Sequence, residues 1–187
     1  MLASENAPRN SRIGQQEADR LIGRIAGGDM SALESLYNAM YREIFGYLCS
    51  MLGGDRHSAE DLAQDTFVRV WKYAPRFSSL GRGRSWVYRI AGRLALDHLG
   101  KNSSRAGELK EELPDGTDVE ESALDSHVLM QAMSLLPTEE RRIVSMHAVS
   151  GLTLREIAQV LEMPLGTVKW KHAEAIKKLR AALGGNA

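Results

Sequence analysis

The sequence predicts an all-α fold, and three observations carry that expectation. Ala, Leu, Arg and Glu are prominent among its 187 residues. Apolar residues recur at the three-to-four spacing of an amphipathic helix through every long segment, and few runs alternate as a half-buried strand would. Gly pairs and Pro fall between those segments, where helices stop. A chain of this length can hold one domain or two small ones, each burying a modest core. Its single cysteine, Cys49, excludes an intramolecular disulfide and a multi-cysteine zinc site, and fits a reduced setting. No apolar run reaches membrane-spanning length, and the polar start MLASENAPRNSRIGQQ lacks a signal-peptide core, so the expectation is a soluble, cytoplasmic protein without membrane insertion.

Taken in order, residues 1–15 are polar and without period, and are expected to be disordered. Glu17 to Ala26 reads as a short amphipathic helix with Leu21, Ile22 and Ile25 inward, stopped by Gly27 and Gly28. Ser31 with Glu34 fits the S/T-x-x-E capping box and opens a helix toward Leu52, apolar at Leu33, Leu36, Tyr37, Met40, Ile44, Tyr47 and Leu48, which Gly53 and Gly54 end. Ser58 to Tyr73 forms the next, with Ala59, Leu62, Ala63, Thr66, Phe67 and Val70 inward and Pro75 closing it. Its other face holds Asp61, Gln64, Asp65, Val68, Arg69, Trp71 and Lys72. Large apolar groups among acids on an outward face are the signature of a partner-binding surface, because a solvated face has no need of a tryptophan.

A cationic Gly/Ser-rich loop from Phe77 to Arg84 leads into a helix from Ser85 to Leu99, ended by Gly100. Aromatics interleaved with arginines behind a basic loop suit single-stranded nucleic acid, since bases stack on rings while guanidinium groups hold phosphate. Core packing is the other reading of Trp86 and Tyr88, and for Trp86 the more common one. Toward the C-terminus, Thr153 with Glu156 makes another capping box, with Leu154, Ile157, Ala158 and Leu161 following at helical spacing. Glu162, Met163 and Pro164 interrupt the period. A second helix then carries Val168, Ala175, Ile176, Leu179 and Leu183 on one stripe, leaving Thr167, Lys169, Trp170, Lys171, Glu174 and Lys178 outside it. Two tightly joined helices, the second cationic, describe a helix-turn-helix with its recognition helix; by local pattern alone, an αα-hairpin with a solvated lysine face is the alternative.

Net charge is formally zero, yet its distribution is blocky. Residues 29–65 hold seven acids against two bases, and residues 69–110 ten bases against two acids. The seven acids of residues 111–125 follow unopposed, and beyond residue 128 eight bases face five acids. Two basic blocks separated by an acidic one suggest two phosphate-touching surfaces and others that meet something else. Enzyme chemistry finds little support. Glu60, Asp61 and Asp65 with His57 are spread around their helix, His172-Ala173-Glu174 lacks the cysteine pair that a zinc deaminase needs, and no Gly-rich phosphate loop occurs. No catalytic residue, metal or cofactor is expected.

Three segments in order, DLAQDTFVRVW, SWVYRIAGRLALDHL and LPTEERRIVSMHAVSGLTLREIAQVLEMPLGTVK, resemble the extracytoplasmic-function (ECF) group of bacterial RNA polymerase sigma factors, over nearly the whole chain from residue 16 to 183. The resemblance implies two small helical domains, sigma two (16–102) and sigma four with its helix-turn-helix (128–183), joined by an acidic flexible linker (103–127). It implies core RNA polymerase and promoter DNA as partners, and often an anti-sigma factor. Asp61, Gln64, Asp65, Arg69 and Trp71 would bind the polymerase clamp helices. Arg82, Arg84, Trp86, Arg89, Arg93, His98 and Lys101 would recognise and help melt the minus-10 element. Thr153, Arg155, Thr167, Lys169, Trp170, Lys171, Glu174 and Lys178 would read the minus-35 element in the major groove.

This chain departs from the family pattern in places that bear on base preference. Glu174 takes the place of a commonly DNA-facing arginine, where it would repel phosphate but can accept from cytosine N4. Trp170 replaces a small residue, and either contacts DNA or packs on the preceding helix. Glu162 stands in the turn where glycine is common, and Arg93 where asparagine is frequent. The competing functional reading is a stand-alone helix-turn-helix regulator with residues 16–102 as a sensor or dimerisation domain; the face around Asp61 and Trp71 discriminates the two. A protein that occupies polymerase without promoter selectivity is the third.

Overall fold

A computed structural model describes residues 13–78, 80–105 and 121–184 and, within them, all side chains but those of 102–105 and 121–127. Every regular element among the described residues is helical: α1 (Gln15–Ala26), α2 (Met30–Met51), α3 (Arg56–Tyr73), a 3-10 turn (Ala74–Arg76), α4 (Gly83–Arg105), α5 (Glu121–Ser134), α6 (Thr138–Ala148), α7 (Leu154–Leu161) and α8 (Leu165–Gly184).

Helix starts follow cap chemistry, with one correction. The Thr153/Glu156 capping box forms with both reciprocal bonds, which satisfies two backbone N–H groups that the first turn would otherwise leave orphaned. At α2, however, the cap is Asp29, whose carboxylate accepts from the Ala32 N–H, rather than Ser31. Asp29 sits two residues earlier and also takes hydrogen bonds from the Ser31 hydroxyl and the Arg24 guanidinium. Those bonds hold its carboxyl down at about 2. Asp55 likewise starts α3 by accepting from Ser58 N–H. At the other end, α4 continues through Gly100 to Arg105. An interior glycine costs only about 1 kcal/mol against alanine and does not by itself stop a helix.

The predicted inward stripe of α3 is buried at Ala59, Ala63, Thr66, Phe67 and Val70, with Leu62 half-buried. That of α2 is buried at Leu36, Met40, Ile44, Tyr47 and Leu48. What the sequence does not anticipate is how the two halves meet. One continuous core gathers α1 to α4 together with Ile143 and Met146 of α6, Leu152, Ile157, Ala158 and Val160 around α7, and Val168 of α8. A smaller cluster of Ala132, Met133, Leu136, Val144, Ala175 and Leu179 joins α5, α6 and α8. The two expected helical domains are both present, and they meet through a shared core; each fully buried Ile, Leu or Met contributes roughly 1.5–3 kcal/mol relative to exposure, so the junction is substantial. The expected linker is shortened at both ends by α4 and α5; its acidic middle, 106–120, lies outside the described residues, as do residues 1–12 of the expected disordered terminus.

Polar bonds seal the same junction. The Arg84 guanidinium meets Glu43 of α2 at 2.7 Å and donates to the Ser150 carbonyl between α6 and α7 at 2.8 Å. Tyr88 donates to the same Glu43 oxygen at 3.2 Å. The hydroxyls of Ser50 and Ser145 lie 2.7 Å apart in the interior, and Arg141 reaches the Met51 carbonyl. Gln15 bonds Ser85 of α4 and Glu156 of the α7 capping box at once. Burial pulls the Glu156 carboxyl up, but the bonds from Gln15 and Thr153 outweigh it and leave it below its ordinary value.

Candidate nucleic-acid interface

The helix-turn-helix is α7, a three-residue turn and α8. Its turn closes on Glu162, which adopts the left-handed conformation at φ 55°, ψ 39°. Glycine adopts this geometry without penalty and other residues seldom do. The chain nevertheless uses a glutamate, whose carboxylate lies 3.0 Å from the Arg89 guanidinium of α4. Arg89 also donates to the Gln159 carbonyl at 2.8 Å. The turn is thus held against the helix that precedes it by about 70 residues in sequence.

On α8 the candidate residues separate into two sets. Lys169 is exposed and Trp170 is 61% exposed, so Trp170 does not pack on the preceding helix. Lys171, half-buried, pairs with Glu139 of α6 at 2.8 Å and lies 5.9 Å from the Trp170 ring centre. Lys178 binds both oxygens of Glu140, at 2.7 and 2.8 Å, and Glu140 is buried. Lys178 therefore fastens α8 to α6, because its partner would otherwise be a buried unpaired carboxylate. Arg155 and Thr153 are exposed, while Thr167 and Glu174 are half-buried. Sequence reasoning passed over Lys177 and Arg180, both exposed. They stand eight and eleven positions after Lys169, which returns them to its face of the helix.

On α4 the candidates also divide. Arg93 and Lys101 are exposed, His98 is half-buried, and Arg82 just before the helix is exposed. Trp86 is half-buried and its ring centre lies 4.9 Å from that of Phe77, while Tyr88 is fully buried. Arg84, expected to touch DNA, is only 6% exposed. That expectation is corrected: a guanidinium spent on a buried carboxylate and a carbonyl cannot reach phosphate from this position. Burial pushes the Tyr88 phenol up, so it stays a protonated donor to Glu43.

The outer face of α3 presents Asp61, Gln64 and Asp65 exposed, Val68 at 63% exposure and Arg69 half-buried. Trp71 is half-buried against the core rather than standing free, so the exposed apolar group on this face is Val68. Cys49 of α2 is buried, and burial raises its thiol, which keeps it in the unreactive protonated form.

The family models for Sigma-70 region 2 and Sigma-70, region 4 match residues 36–105 and 126–179 respectively. Among curated proteins, the chain is 31% identical to the ECF RNA polymerase sigma factor ShbA of Streptomyces griseus, over 86% of this chain and 92% of that one. It is 27% identical to the ECF RNA polymerase sigma factor SigW of Bacillus subtilis, over 87% and 94%. The fold is shared with CnrH, solved in complex with the cytosolic domain of CnrY, at a TM-score of 0.71 and 20% identity over 91% and 99% of the two chains. It is also shared with the sigma factor RpoE of Bartonella quintana, solved with the anti-sigma factor NepR, at a TM-score of 0.71 and 18% identity over 81% and 96%.

Proposed function

The chain belongs to the ECF group of RNA polymerase sigma factors and acts as an alternative sigma factor, and from that premise we propose how its surfaces divide the work. The outer face of α3, through Asp61, Gln64, Asp65, Arg69 and Trp71 with Val68, docks on core polymerase. Arg82, Trp86, Arg89, Arg93, His98 and Lys101 engage the minus-10 element, where rings and guanidinium groups suit an opened strand. The helix-turn-helix lays α8 in the major groove of the minus-35 element, with Lys169 and Lys171 as phosphate clamps and Trp170 and Glu174 toward bases. Thr153, Arg155 and Thr167 complete the minus-35 contacts. Lys178 supports α8 from behind.

The observation that carries this reading is the pairing of an exposed cationic helix-turn-helix with a remote helix whose outer face mixes acids and an exposed valine. A stand-alone regulator needs the first and has no use for the second. RNA synthesis itself then belongs to the polymerase, and this chain supplies promoter address and strand separation from the cytoplasm. An anti-sigma protein belongs among its partners.

The shared core adds a requirement. The two promoter elements are centred roughly 25 base pairs apart, about 85 Å of duplex, whereas a compact chain of this length has a radius of gyration of only about 16 Å. Both elements can be engaged together only if the halves separate, and Arg89 reaches DNA only by leaving Glu162. Adding the protein to sigma-free core polymerase on fragmented genomic DNA tests the reading. Discrete transcript starts with shared upstream elements are expected; no starts, together with tight duplex binding by the protein alone, would overturn it in favour of the regulator.

A further inference from the structure

We propose that Glu162, in the turn of the helix-turn-helix, is an internal stand-in for promoter phosphate: with the Gln159 carbonyl it keeps the Arg89 guanidinium of α4 occupied, so that strand binding at α4 and release of α7 become one exchange. The inference rests on the sigma reading and adds a regulation of its two DNA surfaces. Arg89 Nη1 lies 3.0 Å from the Glu162 carboxylate, and Nη2 donates to the Gln159 carbonyl at 2.8 Å. Gln159 belongs to the last turn of α7, where carbonyls lack partners further along the helix and the helix dipole is negative. A carboxylate and a helix C-terminus thus offer Arg89 the pair of oxygens that a phosphate group would offer it.

The turn adopts a strained conformation at this contact. Glu162 is the one non-glycine residue at positive φ among the described residues, in the region that glycine occupies freely and a side chain does not. The start of α7 is tied to the other half as well, where Gln15 bonds both Ser85 of α4 and Glu156. Three positions on from Arg89, a Cβ on Gly92 would come 3.0 Å from both Arg142 of α6 and Tyr47 of α2, so α4 lies close against α6. These contacts differ in what can replace them. The Arg84–Glu43 pair is buried and offers a ligand no approach. The Arg89 and Glu162 side chains are 48% and 73% exposed, so strand phosphate can reach Arg89 and displace the acid. An exposed pair of this kind is weak and screened by salt, which suits a contact that must yield to DNA. A strand that binds the open form alone then shifts the balance between closed and open chains by its differential affinity.

The free full-length protein tests this, by amide hydrogen exchange at α7 and by titration with a single-stranded oligonucleotide carrying the minus-10 element of a promoter whose start has been mapped. Glu162→Gln should raise both the α7 exchange rate and the strand affinity about threefold to fivefold, the factor expected of an exposed ion pair, while exchange within α2 and α3 stays at the wild-type rate. Glu162→Gly should do the same without lowering the thermal midpoint, because glycine relieves the turn. Neither variant should add to either measurement in an Arg89→Gln background, and neither should differ from wild type in strand affinity once the holoenzyme is assembled. Unchanged α7 exchange in both variants overturns the proposal, as does a rise shared by α2 and α3, the same rise with Arg89→Gln present, a strand affinity that does not follow the exchange, or a difference that persists in the holoenzyme. An assembled wild-type holoenzyme that starts no discrete transcripts would instead overturn the underlying reading and leave the exchange results standing.

Discussion

The outer face of α3 and the cationic side of α4 belong to adjacent helices of one half, yet they stand in opposite states. On α3 the acids and Val68 are open to solvent, and the ion pair of Asp61 is a long 3.9 Å approach to exposed His57. On α4 Arg84 is consumed in the interior and Arg89 is held by the α7 turn. The recognition helix resembles α4 in this, with Lys171 and Lys178 both engaged by α6. On the proposed division of surfaces, the face assigned to polymerase is open in this closed chain and those assigned to DNA are partly occupied by the protein itself. That difference implies an order in which polymerase engages first and promoter DNA after the halves part.

The largest expected effect comes from breaking the closed junction. Glu43→Ala leaves Arg84 buried beside a carbonyl and no carboxylate, and should cost about 3–5 kcal/mol, read as a lower denaturation midpoint. Lys178→Ala strands buried Glu140 and should cost about 1–3 kcal/mol while leaving minus-35 base preference alone. Lys169→Glu should do the reverse, weakening minus-35 binding about tenfold and reducing its salt dependence without moving the midpoint. On the open side, Asp61→Ala should change stability by no more than about 0.5 kcal/mol yet lower affinity for core polymerase in a titration of labelled protein. If Asp61→Ala unfolds the protein as readily as Glu43→Ala does, the contrast between the two faces is lost.

The smallest effect is a pH dependence. Burial, and then the charge of His147 with its ring centre 5.0 Å away, depress the His172 imidazole below its ordinary 6.5. The unfolded chain therefore binds this proton more readily than the folded one, and stability declines as pH falls below about 6.5. Thermal midpoints of wild type and His172→Gln, compared between pH 7.5 and 5.5, should converge on acidification if the wild type begins higher.

Much of this was legible in sequence because it is local. The Thr153/Glu156 box spans four residues, and the α3 stripe repeats within one helix, so period and cap chemistry suffice for both. Arg84 was misplaced because its partners, Glu43 and Ser150, lie 41 and 66 residues away, and no local pattern marks an arginine as buried. Lys171 and Lys178 read as free cations for the same reason, their acids standing on α6. Trp71 illustrates the limit of facial assignment: a helix position at the edge of the stripe lets a large ring lean onto the core. The left-handed Glu162 sits where sequence raised a question about the turn, and its pairing with Arg89 depends on a packing of halves that no turn signal encodes.

Separation of the halves is the central mechanical claim, and the distance between Asn38 of α2 and Ala181 of α8 measures it most directly. Both are exposed, and the buried Cys49 should not compete for thiol labels when each is replaced by cysteine. We expect a single short distance in the free protein that lengthens by tens of ångströms in the complex with core polymerase and promoter DNA. An initiating complex in which the short distance persists would contradict the account.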